Sequence, residues 1–492
     1  MTSNTLLYGL DDRPPLGKAI VFALQHILTM FGATVAVPLM FGPQLWPVDS
    51  NADEITQAAQ LATQFQNTAL LISSVMLCSG IATLIQATWG SRLPIIQGVS
   101  FSFLTAFAYI VTQVLAPVSD GGMGGDGAMA MRYIAGAILI GAILEMVIGF
   151  TGLIGWLRRA ISPVVIGPVI MLIGLALFKH GVPKAGTYLP IGVLTILLVI
   201  VFSLVLSRYI NFFRLFPILS VIVVVVTLCW VLTMTEVFPA GHPAAVNLSA
   251  VHSSPYVRAT PSQVVCPWGF PLFHTGFTDA VLAGYFASMI ESFGDYHACS
   301  YMAGGGSPTQ KQISRGIGCE GIGCFLSGLL GGFSSTSYSE NIGLVGLTKV
   351  GSRYVVQIGA VILIGLGIFG KFGAIAAAIP GPVVGGLYCT LFGLIAAVGI
   401  QQLAKADLKS DRNLLIAGFS LFMGLSVPAW FDGSAAFYQP GPETLLEQMP
   451  EMLRGIVQSI GLTGMAVAAI IGITLDNLIP GTPEERGLTS KE

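Results

Sequence analysis

The stretch "ASMIESFGDYHACSYM" (287–302) sets Glu291 and Asp295 four residues apart within an apolar run. On a helix that spacing puts both carboxyls on one face, a single turn from each other. A charged side chain at membrane depth costs roughly 2.5–3.5 kcal/mol on insertion scales, so each one needs a reason. Two like carboxylates in a low dielectric cannot readily both ionise, which suits a site that binds and releases a proton. Pairing with a structural lysine, or capping a neighbouring helix, is the alternative use.

A second stretch, "SYSENIGLVGLTKV" (337–350), places Glu340 and Asn341 between two strongly apolar runs. It is too short to cross a membrane as a plain helix. Glu340 and Asn341 sit where the run breaks, and Asn341 is also a good cap for a helix that starts there. Gln25 and His26 lie in "ALQHILTMFGATVAVP", where the histidine is either a ligand or a satisfied packing residue. Glu320 is a relay or a partner for Arg315 or Lys349. Lys349 is either a basic anchor at the membrane face or a gating cation, and Thr348 precedes it. Glu145 and Asp476 are too isolated to interpret.

The elements that must carry these groups are membrane spans. The 492 residues are 54% hydrophobic and only 9% charged, against about 25% charged for a soluble domain. Apolar runs of spanning length recur, which points to an all-α polytopic membrane protein. About 14 crossings are expected, over 18–41, 67–89, 93–113, 134–155, 161–179, 187–207, 214–234, 277–300, 315–333, 338–350, 353–370, 381–404, 412–431 and 455–479. Residues 1–17 are polar and the first apolar run is long enough to span, so no cleaved signal peptide is expected. The seven cysteines are scattered and read as small apolar packing residues, with no zinc spacing and no metal site. No cofactor is expected, no basic patch suggests nucleic acid, and no nucleotide-binding signature suggests a pump.

Loop charge sets the orientation. With the N-terminus inside, 16 of the 22 basic residues fall on the cytoplasmic side, including Arg92, Arg315, Lys349, Lys405 and Arg486. Arg132, Lys179, Lys184, Arg258, Lys371 and Arg454 fall outside. The chain therefore divides into a cytoplasmic N-terminus (1–17), a first seven-segment repeat (18–234), an extracytoplasmic loop (235–276), a second repeat (277–480) and a cytoplasmic C-terminus (481–492). An odd number of crossings per half inverts the second half relative to the first. Segment three, "RLPIIQGVSFSFLTAF", and segment ten are both interrupted, and they correspond by position. Paired interruptions of that kind are the best pointer to a midplane binding site. Backbone that is not helical at that depth needs partners, which the two stretches can supply as short antiparallel strands. Each strand would then open a half-helix whose first amides face a cavity.

These residues resemble the nucleobase/ascorbate transporter family, which includes the xanthine and uracil permeases. Its signature of Gln, Glu or Pro, then Asn-x-Gly-x4-Thr, then Arg, Lys or Gly is matched by Glu340-Asn341-Ile342-Gly343 and Thr348-Lys349. "QHILTMFGATVAVP", "RLPIIQGVSFSF" and "ESFGDYHACS" resemble three further family blocks in the same order, so the likeness covers nearly the whole chain. The resemblance implies a core domain from segments 1–4 and 8–11. It implies a gate domain from segments 5–7 and 12–14 that usually dimerises, and elevator-like transport at the plasma membrane. It implies that Glu291 and Glu340 hold the base, that Ser100, Phe101 and Ser339 donate or stack, and that Asn341 braces the site. Asp295, His26, Gln25 and Glu320 follow as the proton-linked or gating network, with Thr348 and Lys349 as modulators.

Uracil and the oxopurines present an N–H flanked by carbonyls. A carboxylate accepts the N–H, half-helix amides donate to the carbonyls, and an aromatic ring covers the face. In the family, Pro at the first motif position goes with ascorbate and Gln or Glu with nucleobases, so Glu340 points to a base. The expectation is proton symport of uracil and/or oxopurines such as xanthine and guanine. Sodium-coupled ascorbate uptake is the alternative. An intramembrane aspartyl protease, raised by "SFGD" around Asp295, lacks its second motif because no Tyr-Asp pair occurs.

Overall fold

The computed structural model describes residues 6–488 apart from 121, 156–161, 177, 240, 259, 432–448, 450–456, 458 and 459. Its first half comprises α1 (Leu16–Leu45), α2 (Glu54–Thr88), β1 (Gln97–Val99), α3 (Leu104–Leu115), α4 (Gly127–Thr151), α5 (Pro163–Ala176), α6 (Leu189–Ile200) and α7 (Pro217–Met234). The second comprises α8 (Thr275–Met302), α9 (Gln310–Leu329), β2 (Ser335–Ser337), α10 (Ser339–Thr348), α11 (Arg353–Ile368), α12 (Gly381–Leu403), α13 (Asp411–Phe431) and α14 (Gly464–Leu478). The predicted start of the last crossing, at 455, lies outside the described residues.

Seven of the described helical runs are long and apolar enough to cross a membrane, and α11 with its continuation Gly370–Ala377, bent by 80°, makes an eighth. The remaining crossings are polar or short for identifiable reasons. α8 and α9 are long but carry the buried carboxyls and their hydroxyl partners. α3 and α10 are half-length because a strand takes the other half. α2 starts 13 residues before the predicted crossing at 67, because Asp53 caps it through the Thr56 amide. Its first turns, "EITQAAQLATQFQNT", are polar residues with good helix propensity that hydropathy does not register.

The two halves repeat the same packing. α4 lies along α9, and α2, the counterpart of α9, lies along α11, the counterpart of α4. α8 against α4 is likewise matched by α1 against α11. Both long contacts are glycine seams, as expected where helices associate in lipid through close backbone approach. A Cβ on Gly80 would stand 2.7 Å from the Ala360 carbonyl oxygen, and one on Gly149 2.2 Å from the Gly318 amide. A second set packs together, with α5 on α12, α13 and α14, and α6 on α7 and α12.

At the centre the interrupted stretches cross. β1 and β2 pair antiparallel, Gln97 opposite Ser337, Gly98 opposite Thr336 and Val99 opposite Ser335. The Ser100 amide donates to Ser334 and the Tyr338 amide to Ile96, extending the pairing at both ends. Side chains complete it: Gln97 Nε2 donates to Ser337 Oγ at 2.9 Å, and Thr83 Oγ1 takes the Gln97 amide at 2.9 Å. Gly98 has no room for a side chain, since a Cβ there would meet the Tyr338 ring at 2.3 Å. Phe103, Phe107, Phe41 and Phe333 pack ring against ring beside the crossing.

The expected inside loops also converge. The Leu7 amide donates to Lys349, the Arg353 amide to Leu10, and Arg353 Nε pairs with Asp11 at 2.6 Å. Arg92, Lys311 and Arg315 border the same end with Leu10 and Asp11.

Candidate functional site

Both strands run directly into helices, so two N-termini meet at the crossing. Ser100 opens the first, accepting the Ser102 amide at 3.3 Å, with Phe101–Phe103 as a single tight turn before α3. Tyr338 opens α10, and the amides of Ser339 and Glu340 have no backbone acceptor. Such amides carry partial positive charge and suit carbonyl oxygens or anions.

α8 passes both termini and brings the carboxyls to them. Ser102 Oγ donates to Glu291 Oε2 at 3.5 Å, a long contact that leaves the carboxylate largely unsatisfied. Ser339 Oγ donates to Asp295 Oδ1 at 2.8 Å, while Asp295 Oδ2 is buried without a partner. Glu340, in the first turn of α10, accepts no hydrogen bond from another described side chain. Glu291, Glu340 and Asp295 lie within electrostatic reach of one another. The structure thus assembles three carboxyls from two helices around two helix N-termini, with acceptor capacity to spare.

A hollow of about 220 Å³ adjoins this group, lined by Glu291, Asp295, Ser339, Gln402 and Lys405 and, from the C-terminal residues, Gly487 and Leu488. Drug-sized pockets run to roughly 300–1,000 Å³, so this one suits a single small ring system. A larger hollow of about 710 Å³ lies between α1, α2 and α12, lined by Lys184 but by no carboxyl. Phe101 is half-buried at the edge of the site, its ring 6.2 Å from that of Phe392 on α12 in an edge-on contact. It therefore stands between the two packed sets of helices.

Behind the strands runs a second layer of polar contacts. Asn341 does not cap α10. Its amide instead donates to the His26 carbonyl oxygen at 2.9 Å and lies 3.1 Å from His26 Nδ1, tying α10 to α1. The neighbouring Gln25 leaves Oε1 buried and unpartnered. Glu320 is paired neither with Arg315, whose guanidinium donates to the Trp89 carbonyl, nor with Lys349. It accepts from Ser292 at 2.7 Å, Tyr296 at 2.7 Å and Ser288 at 3.3 Å. Ser292 in turn contacts Thr336 of β2 at 3.0 Å. Thr348 and Lys349 stand apart, at the far end of α10, about 13 Å along the helix from Glu340. Lys349 ends that helix in the left-handed conformation at φ 59°.

Several residues at the site had not been singled out: Ser102, Ser292, Tyr296, Phe392, Gln402 and Lys405. Ser292 and Tyr296 had a signal, as polar side chains on the same helix as Glu291. Phe392, Gln402 and Lys405 had none, because only the fold brings α12 to α8.

Residues 17–433 match the sequence model of a permease family. The chain is a member of that family, the nucleobase/ascorbate transporters. It is 37% identical over 520 residues to solute carrier family 23 member 1 of Rattus norvegicus, covering 98% of this chain and 82% of that one. It is 32% identical over 499 residues to nucleobase-ascorbate transporter 1 of Arabidopsis thaliana, covering 98% and 91%. In fold it resembles murine solute carrier 26 family member A9, an anion transporter solved in the inward-facing state. That match has a TM-score of 0.58 and 12% identity over 95% of this chain and 69% of the other. The transmembrane domain of a cyanobacterial bicarbonate transporter aligns with a TM-score of 0.50 and 16% identity, over 83% and 94%. These permease-family findings make the chain a multi-pass membrane transporter, not an enzyme.

Proposed function

We propose that this transporter imports nucleobases, uracil and/or oxopurines such as xanthine and guanine, by proton symport. The observation that carries the reading is the meeting of Glu291 and Glu340 at two helix N-termini. Two carboxylates with spare acceptor capacity suit the base N–H groups, and the first amides of α10, which have no backbone acceptor, suit its carbonyls. Phe101 covers the ring. Ser100 and Ser339 set the two helix starts, and Asn341 braces α10 against His26.

Movement follows elevator-type alternating access. The helices around the crossing, α1–α4 and α8–α11, form the mobile core, and α5–α7 with α12–α14 form the gate that pairs in a homodimer. The separate packing of the two sets supports this division. The plasma membrane is the site of action, with both termini cytoplasmic, which agrees with the basic residues gathered at the Leu10–Arg353 end. The hollow, bordered by Lys405 and the C-terminal residues, then opens inward. Sodium-coupled ascorbate uptake is the second reading, favoured by Lys405, a cation lining the hollow. Against it, an anionic ascorbate would meet two carboxylates.

Uptake of labelled xanthine or uracil into proteoliposomes separates the two. Uptake is expected to rise with an inward proton gradient, to collapse with a protonophore, and to be indifferent to sodium. Uptake driven by sodium alone would refute proton symport.

A further inference from the structure

Glu145, on α4, has no place in the site above, yet it is the most sequestered carboxyl near it. It is 0% exposed, and neither carboxyl oxygen has a hydrogen-bond partner. The glycine seam between α4 and α9 closes around it, with Gly321 against the adjacent Met146 and Gly141, one turn earlier, against the Tyr285 ring. The ionisable groups facing it are Glu320 and Cys324 from α9 and Tyr285 and Tyr296 from α8. No lysine, arginine or histidine among the described residues bears on it, from these helices or from α1 and α3.

An ionised carboxylate with no counter-ion and at most a weak thiol donor is not sustainable in such a place. Glu320 presents the opposite case, accepting from three hydroxyls as a carboxylate does. The two carboxyls thus face each other with three hydroxyl donors on Glu320 and, for Glu145, only the weak Cys324 thiol within reach. Their surroundings are bonded to β2: Cys324 Sγ contacts the Ser335 carbonyl, Tyr285 the Ser334 hydroxyl, and Ser292 takes the Ser337 amide.

We propose that Glu145 and Glu320 together hold one exchangeable proton beside β2, a site separate from the carboxylates that hold the base. The proposal rests on the proton-symport reading. Two interacting carboxyls titrate as a pair, so the proton belongs to both. Its arrival or departure changes what Ser292 and Tyr296 must donate to, and Ser292 is bonded to the strand that opens α10. Tyr296 also takes a hydrogen bond from the buried Gln86, two residues before the end of α2.

The test uses the full chain with Glu145→Gln, which keeps the shape of a protonated glutamate. In infrared difference spectra recorded on a pH step, the wild type is expected to show a protonated-carboxyl band that the variant lacks. In proteoliposomes, the variant's proton-driven accumulation ratio is expected to fall at least tenfold, and the pH dependence of labelled-base exchange to flatten. Glu320→Gln reads the pair from the other side and is expected to shift the Glu145 band and to uncouple likewise. A band that persists in Glu145→Gln, or accumulation equal to the wild type, would overturn the proposal. Wild-type uptake indifferent to protons would instead overturn the symport reading, and the Glu145 band would then decide the site alone.

Discussion

Glu291→Gln is expected to reduce saturable base uptake by ten- to a hundredfold or more. The Glu291 carboxylate receives only a long contact from Ser102, at 3.5 Å, which leaves its acceptor capacity open for a ligand. A hydrogen bond to a charged group contributes about 1.5–3 kcal/mol, and each 1.4 kcal/mol is a factor of ten in affinity. Glutamine keeps the volume but brings an amide N–H₂ that faces the base N–H, so donor meets donor. The loss therefore includes an unsatisfied pair as well as the missing charge. Folding is expected to survive, because no described side chain other than Ser102 depends on that carboxylate. Uptake of labelled xanthine and uracil at several concentrations, with expression checked by gel filtration, reads the effect. Wild-type uptake in the variant would remove Glu291 from the centre of the site.

The second large effect concerns stability, at the C-terminal end of α14. Asp476 has a fully buried side chain and holds two guanidinium groups, Arg412 at 2.9 Å and Arg486 at 2.7 Å. Arg412 also donates to the carbonyls of Asp476 and Ile479, so its charge is fixed against the end of α14. Removing one member of a buried charge cluster leaves the others uncompensated, which costs about 3–5 kcal/mol. Asp476→Ala is therefore expected to lower the thermal midpoint of the purified protein by several degrees, with Asp476→Asn in between. It also releases Arg486, next to Gly487 and Leu488 that line the hollow, so uptake is expected to change along with stability. A midpoint within one degree of wild type would show that the cluster contributes little.

Much of this architecture was legible from residue order. The pairing of segments three and ten followed from two interruptions in matching places and from the need of non-helical backbone for partners. The strands Gln97–Val99 and Ser335–Ser337 meet that need. Glu291 and Glu340 were legible because a carboxyl in an apolar run demands a reason. Other groups stayed unread because their partners are remote in sequence. Asn341 reaches His26 across 315 residues, and Asp476 meets Arg412 across 64. Glu145 appeared isolated because its neighbour, Glu320, lies on a helix that only folding brings alongside. The early start of α2 was missed for a different reason, since its first turns are helical without being apolar.

The most direct test of the central claim is equilibrium binding to the purified protein, with and without sodium. Labelled xanthine and uracil would be competed with unlabelled bases and with ascorbate. Two carboxylates aimed at base N–H groups predict displacement by bases at micromolar concentrations, no displacement by ascorbate, and no need for sodium. Ascorbate binding that requires sodium, with no base competing, would contradict the assignment of Glu340 and Glu291 to a nucleobase.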